Sequence, residues 1–576
     1  MQRCASQAAG RLSVLRSSLV CPCSISSLPS SSSSSSSSSL SFPSSSSVMT
    51  APIQAASPMR MRSLSSVTAA TPPIPSTSLP AHDANINSST TSLPASASAS
   101  ASTSASASGG RNHSAALMLQ PGAPLESKLL AALDARRAVQ SCRTLTIATD
   151  DGTASGVPLA DFSSNDYLGL ARDQTLQARL LQPPTTSTMD EHALRDRAVG
   201  STGSRLLTGN NGLYECVERL VRDFHGGAAG LIFNSGYDAN LGIFGSLPQR
   251  GDVIFVDELI HASVHEGLKL SRGSKVTFRH NDLADLERKL EQAARQSAGL
   301  REPSTGGSNR SSGTAESSEG PTAPAAGRTR SFLIAVESVY SMDGDCAPLV
   351  ELAQLAERWN AALIVDEAHG TGVMGDRGQG LVGALGVENR VFARVHTFGK
   401  ALGAHGAIVI SSPVVREYLV NYARSLVYTT SLPPHSLLSI AHAYRRLEEV
   451  GSERRAKVLD LIQHFRTRIQ TCSNARIARA LLPSDTPIQG LVVPGNAQVV
   501  ALARHLRKRG MNALPIRSPT VPTGAERLRI IVHAHNTVQQ IDGLVAAIEE
   551  YFASEDSSTD SPVVKAVPAP AVVSSL

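Results

Sequence analysis

Lys400 lies in 395-VHTFGKALGAHGA-407, among Gly399, Ala401, Gly403, Ala404, Gly406 and Ala407. A lysine is seldom ringed by residues this small, because an ammonium group belongs on a wet surface. Three readings compete. A phosphate-binding loop needs a glycine at 394 and Ser or Thr at 401; the chain has Arg394 and Ala401 there, so that motif fails. An ordinary surface lysine is the second. The third is an amine that reacts: removing water disfavours the charged form, lowers the pKa and frees a neutral nucleophile. Small neighbours would then admit a flat aromatic cofactor. A Schiff-base lysine serving pyridoxal phosphate also requires a carboxylate facing the pyridine nitrogen. Asp366, at the end of the apolar run 361-AALIV-365, is well placed for that.

Such a pair must be positioned by secondary structure. Short aliphatic runs recur at 229-AGLIFN-234, 252-DVIFVD-257, 332-FLIAVES-338, 361-AALIVDEAHG-370 and 406-GAIVIS-411. Each is of strand length and apolar on both faces, as buried parallel strands are. Amphipathic stretches lie between them, such as 349-LVELAQLAERWN-360. The alternation predicts an α/β, doubly wound, mostly parallel sheet over 171–430. After about Thr430 the pattern changes to longer helices, around 436–449 and 453–471, and shorter strands such as 526-ERLRIIV-532. This predicts a smaller α+β domain over 431–552. In open α/β sheets ligands bind beyond the carboxyl ends of the strands. Here those ends carry Asn234 to Tyr237, Asp257 to His261, Glu337 to Ser341, Asp366 to His369 and the segment ending at Lys400.

The rest of the chain bounds the function. Of 576 residues, 1–125 hold six arginines, no lysine and one acid, Asp83; Ser30 to Ser39 is nearly unbroken serine. This composition cannot offset chain entropy, so a disordered leader is expected. Its Arg-rich, Ser-rich, acid-poor start resembles a transit peptide, so the mitochondrion is the expected location, with peroxisome and cytosol as alternatives. The whole chain has 53 basic and 48 acidic residues; removing the leader leaves 47 of each. A neutral body argues against nucleic acid as partner, and its apolar runs are too short to span a membrane. The seven cysteines show no metal or disulfide spacing, so no metal site is expected. Residues 297–328 read as a long low-complexity loop and 553–576 as a flexible tail, with an N-terminal segment at 126–170.

The body resembles the α-oxoamine synthases, a family of pyridoxal phosphate enzymes. The matching stretches are 131-AALDARRA-138, 162-FSSNDYLGL-170, 200-GSTGSRLLTGN-210, 334-IAVESVYSMDGD-345, 364-IVDEAHGTGVMG-375, 396-HTFGKALG-403, 428-YTTSLPP-434 and 516-IRSPTVPTGAERLR-529, in family order. The resemblance implies the aspartate aminotransferase-type fold (fold type I) and pyridoxal 5'-phosphate as cofactor. It implies that Lys400 binds the cofactor covalently and Asp366 keeps the pyridine nitrogen protonated. His369 would lie by the phenolic oxygen with Ser341 nearby, and His261 would stack on the ring. Gly236 and Tyr237, opening a helix, would bind phosphate together with Thr397. Arg529 would grip the amino-acid carboxylate, and Arg143, Asn165 and Thr520 would contact substrate. Tyr214 departs from the family, which often has His there.

The implied activity is a decarboxylative condensation of a small amino acid with an acyl thioester. Within the family the match favours L-alanine with a pimeloyl thioester, in biotin biosynthesis. The alternative is glycine with succinyl-CoA, in haem synthesis, which the leader and its Cys21-Pro22 dipeptide would suit. A non-catalytic regulatory subunit of this fold is a third reading, opposed by the presence of both Lys400 and Asp366. A homodimer is implied by the resemblance alone.

Overall fold

The structure, a computed structural model, describes residues 123–143, 145, 159–181, 199–299 and 330–558. The expected leader, insertion loop and tail lie outside the described residues except at their edges. There, α1 (Ala123–Ala138) begins within the last residues assigned to the leader. The helix α6 (Leu283–Gly299) enters the start of the loop, and the C-terminal helix continues to Ser558.

Seven strands form the main sheet: β2 (Ala229–Phe233), β3 (Val253–Asp257), β4 (Ser274–Phe278), β5 (Phe332–Glu337), β6 (Ala361–Asp366), β7 (Ala393–Thr397) and β8 (Ala407–Ser411). Their order is β2-β8-β7-β6-β5-β3-β4. All neighbours are parallel except β8, which runs antiparallel to both β2 and β7. The run at 406–411 was expected to be parallel. The connection from β7 to β8, residues 398–406, is too short for a crossover, so the strand turns back as a hairpin. That connection contains Lys400.

Helices α3 (Gly212–Phe224), α4 (Gly236–Ser246), α5 (Ala262–Leu270), α6 and α7 (Leu349–Arg358) flank the sheet, which is why β2, β3 and β8 are buried along their whole length. Each fully buried aliphatic or aromatic side chain here, such as Val395 or Phe398, contributes about 1.5–3 kcal/mol. The parallel strands end together at Asp257, Glu337, Asp366 and Thr397, with Glu337 directly paired to Asp366 and Asp366 to Val395.

After α8 (Pro413–Tyr422), a single helix, α9 (Pro434–Gln470), replaces the two expected at 436–449 and 453–471. Gly451 does not break it, because Leu447, Gly451, Arg455 and Val458 form one buried stripe. A side chain at 451 would collide with Arg455 and Leu447. Beyond it, β9 (Ile488–Val492), β11 (Leu514–Ile516) and β12 (Arg527–Ile531) make an antiparallel sheet in the order β11-β12-β9. It is packed with α10 (Asn496–Lys508) and α11 (Val538–Ser558). The N-terminal segment joins this unit through β1 (Ala160–Asp161), paired in parallel with β10 (Met511–Asn512). Among the described residues no helix is long and apolar enough to cross a membrane.

Candidate active site

The small residues around Lys400 turn out to serve the hairpin. Gly403 and Gly406 have positive φ, +60° and +107°, which disfavours any residue with a Cβ. A Cβ on Gly403 would lie 2.2 Å from the backbone nitrogen of Ala171. Ala401 and Leu402 point into the core. Most of these residues thus also let the chain reverse and pack, leaving the lysine to reach the crevice. Half-buried Lys400 is held down to a pKa of about 8 by loss of water, while the carboxylate of Asp366 pulls it back up.

Asp366 lies at the end of β6, and both of its oxygens accept N–H groups. Oδ1 takes the backbone of Ala368 at 2.9 Å and Oδ2 takes the Asn240 amide at 2.8 Å. An acceptor so placed is an ionised carboxylate. Glu337 lies beside it across the strand pair, fully enclosed, with Oε1 lacking a partner. Burial, reinforced by the Asp366 charge, pushes its carboxyl well above the usual range. Of the two adjacent carboxyl groups, Glu337 is the one whose charge burial disfavours.

A chain of contacts runs from the lysine to the small domain. Lys400 Nζ is 2.8 Å from His369 Nε2, and His369 Nδ1 is 2.6 Å from the Tyr167 hydroxyl. Tyr167 reaches Asn165 Oδ1 at 3.3 Å, and that oxygen also accepts Arg529 Nη2 at 3.1 Å. Arg529 Nε donates to the Ser341 carbonyl at 2.7 Å. Burial holds His369 well below its ordinary pKa, and the cations Lys400 and Arg529 lower it further. Burial lifts Tyr167 to about 12. A neutral imidazole between an amine and a phenol can pass a proton either way.

The other end of the crevice is the start of α4. Ser235 caps this helix by accepting the Asp238 N–H at 3.0 Å, so the first-turn N–H groups of Gly236 and Tyr237 remain available, as at anion-binding helix ends. Gly236 stands against Thr397: a Cβ there would lie 2.3 Å from the threonine hydroxyl. Asn234 ties this corner to the 428–434 segment through Thr429 Oγ1 at 3.1 Å and the Thr430 carbonyl at 2.8 Å. His261 caps α5, and its Nδ1 receives the Ser263 backbone N–H at 3.2 Å. Its ring is open to solvent on one side, yet crevice walls desolvate it and lower its pKa against the pull of Asp366.

The fold brings Lys400, His369, Asn165, Arg529 and the Ser341 carbonyl into one bonded chain, and places Asp366 beside it. Ser341 participates through its backbone rather than its hydroxyl. Arg143 and Thr520 meet each other at 3.4 Å on an exposed rim. Among the described residues neither bonds to Lys400, His369 or Arg529. Tyr214, the family departure, is buried in the core. Its hydroxyl accepts the Leu432 N–H at 2.7 Å, and Arg205 covers its ring at 4.0 Å. It braces the 428–434 segment. Sequence reasoning placed Glu337 at the crevice without a role, and missed Tyr167, Asn240 and Ser263. Tyr167 lies inside the matched 162–170 stretch, where its period gave no hint of a role. Asn240 and Ser263 are helix residues that only packing brings to Asp366.

These groups fit pyridoxal phosphate on their own chemistry. There is a desolvated amine, a carboxylate whose charge is fixed by N–H donors, and a helix end cleared by Gly236 beside a hydroxyl. The cradle would be filled by any side chain at 236.

Residues 157–548 match the family described as aminotransferase class I and II. The chain is 41% identical over 400 residues to the 8-amino-7-oxononanoate synthase of Emericella nidulans, covering 68% of this chain and 89% of that one. Among solved structures it is similar to the 8-amino-7-oxononanoate synthase of Francisella tularensis, with TM-score 0.52 and 26% identity over 69% of this chain and 99% of that one. It is also similar to the serine palmitoyltransferase of Sphingomonas wittichii, with TM-score 0.60 and 26% identity over 76% and 99%.

Proposed function

The chain belongs to the aminotransferase class I and II family, as a pyridoxal phosphate-dependent α-oxoamine synthase, and on that premise we propose that it condenses L-alanine with a pimeloyl thioester. With a proton taken up, the products are 8-amino-7-oxononanoate, carbon dioxide and the free thiol, a step of biotin biosynthesis. The observation that carries this reading is the 41% identity over 400 residues to an 8-amino-7-oxononanoate synthase, with Lys400 Nζ set 2.8 Å from His369 Nε2.

The cofactor, when bound, supplies an electron sink for the bonds at the amino-acid Cα. Lys400 would hold it through Nζ, Asp366 would face its ring nitrogen, and Gly236, Tyr237 and Thr397 would take its phosphate. The chain's own groups do the rest. Arg529, fixed by Ser341 and Asn165, turns its remaining N–H groups to the substrate carboxylate. Lys400 Nζ, once free, accepts the Cα proton. Lys400, the more basic of the pair, holds that proton, while the neutral His369 accepts a hydrogen bond from Nζ at Nε2 and is fixed by Tyr167 from the other side. Asn240 and Ala368 keep Asp366 charged throughout.

The test is thiol release by the cofactor-loaded protein. L-alanine with pimeloyl-CoA is compared with glycine and succinyl-CoA, each beside Lys400→Ala. Lysine-dependent release only with the first pair is expected; release only with the second would move the protein to haem synthesis. We propose a homodimer as well, because Leu206, Leu207 and Tyr428 are exposed apolar side chains flanking the site segments; a monomer in sedimentation would refute it. Mitochondrial location rests on the leader composition, and retention of a 1–125 fusion in the cytosol would refute that.

A further inference from the structure

His261 faces the crevice, but the groups behind it decide what it presents there. Asp366 Oδ2 can only accept, so the Asn240 amide must turn its NH2 toward it, at 2.8 Å. The same NH2 lies 2.9 Å from Ser263 Oγ, which therefore also accepts. The Ser263 hydroxyl proton is then free to point at His261 Nδ1, 2.8 Å away. That nitrogen already receives the Ser263 backbone N–H at 3.2 Å. Two donors converge on Nδ1, so it carries a lone pair and the ring's single proton is on Nε2. Asn240 and Ser263 are almost wholly buried, so water does not compete for these bonds.

We infer that Asn240 and Ser263 are positioning residues that relay the charge state of Asp366 to His261, locking it as the neutral Nε2–H tautomer with that N–H turned to the crevice. The inference rests on the reading of His261 as a cofactor-facing residue. The direction of the relay is set at Asp366. An ionised carboxylate orients Asn240, Asn240 orients the Ser263 hydroxyl, and that hydroxyl orients the imidazole. A second proton on His261 would have to enter at Nδ1 and break the chain. The low pKa of His261 agrees with this. One carboxylate would thereby serve two roles: it would face the ring nitrogen of a bound cofactor directly, and it sets the tautomer of His261 through two intermediaries.

The experiment is 15N NMR of the full protein labelled in histidine, with and without pyridoxal phosphate, the His261 signals being assigned by their loss in His261→Asn. Wild type is expected to show the neutral Nε2–H tautomer in both states. Asn240→Asp keeps the side chain's shape but replaces a donor by an acceptor. The introduced carboxyl would share one proton with Asp366 and accept the hydrogen bond of the Ser263 hydroxyl, leaving Oγ to accept from His261. The tautomer is then expected to shift toward Nδ1–H. Ser263→Ala, a second and smaller change, is expected to give a mixture. Both variants should keep the absorbance band of Lys400-bound cofactor while kcat falls at least tenfold. An Nδ1–H tautomer in wild type, or a tautomer unmoved in both variants, would overturn the inference. Failure of Lys400 to capture the cofactor would instead strike the functional reading, while the tautomer in cofactor-free protein would still report on the relay.

Discussion

Lys400 Nζ and His369 Nε2 are 2.8 Å apart, an amine and an imidazole sharing one hydrogen-bond line deep in the crevice. Two cations at that distance would repel strongly. The structure avoids this by keeping His369 neutral through burial, so that only the lysine carries charge at low pH. The Asp366 carboxylate stops the lysine's own pKa from falling further.

The pH at which the amine becomes reactive follows. Below about 8 the neutral fraction of Lys400 drops roughly tenfold per pH unit. Capture of pyridoxal phosphate by cofactor-free protein should therefore accelerate about tenfold from pH 6 to 7 and level off above 8. Stopped-flow absorbance reads this directly. A rate already flat at pH 6.5 would show a lysine far more depressed than the structure implies.

Tyr167→Phe removes one hydroxyl and leaves His369 Nδ1 buried without a partner. An orphaned buried polar group costs about 1–3 kcal/mol. Urea unfolding of the variant should show that loss, and kcat should fall by about 10- to 100-fold, the usual effect of losing a group that orients a functional histidine. Unchanged values for both would remove Tyr167 from the site.

Gly403→Ala and Gly236→Ala separate structure from binding. The first places a Cβ against the Ala171 backbone at positive φ, and should destabilise the fold by at least about 1–3 kcal/mol. The second meets only the Thr397 hydroxyl and side-chain carbons. It should leave the melting temperature nearly intact while weakening pyridoxal phosphate binding at least about tenfold, as loss of one charge-assisted hydrogen bond would. Fluorescence titration and thermal melts together distinguish the two.

Arg529→Lys keeps the charge but loses the fork that bonds Ser341 and Asn165 at once. KM for the amino acid should rise about 10- to 100-fold, with KM for the thioester changing little. Equal rises in both would place Arg529 away from the carboxylate.

His280 offers a pH test outside the site. It bridges Asp257 at 2.9 Å and Asp345 at 2.7 Å. Although burial opposes its charge, these two bonds raise its pKa from 6.5 to about 10. A raised pKa means the folded state holds the proton more tightly than the unfolded state does. The contribution is complete below about pH 6.5, declines above it and is gone beyond about 10. Melting temperature should fall across that window in wild type, and the slope should flatten in His280→Gln.

How much of this was legible beforehand depends on the range of the interaction. The strands at 229–233, 253–257, 332–337 and 361–366 announced themselves because burial on both faces demands unbroken aliphatic runs. The amphipathic helix at 349–358 did so because one face must be wet. The crevice followed, since parallel strands end on one side and Asp257, Glu337, Asp366 and Lys400 come just at or beyond those ends. β7 was less visible, because its run includes Arg394 and His396, which are buried but find partners in the His225 carbonyl and the Thr371 hydroxyl. The two helices expected around 436–449 and 453–471 are one, because Gly451 is buried in line with Leu447 and Arg455 four residues to either side.

The sequence by itself determined the α/β alternation, the neutral body, the lysine and the carboxylate, because these depend on composition and on periods of a few residues. Tertiary structure decided that β8 runs antiparallel and that the glycines around Lys400 serve the turn. It also decided that burial pushes the Glu337 carboxyl upward, and that Tyr167, Asn240 and Ser263 join the site. Those facts depend on which distant groups share a space without water, and no local pattern encodes a donor's partner a hundred or more residues away.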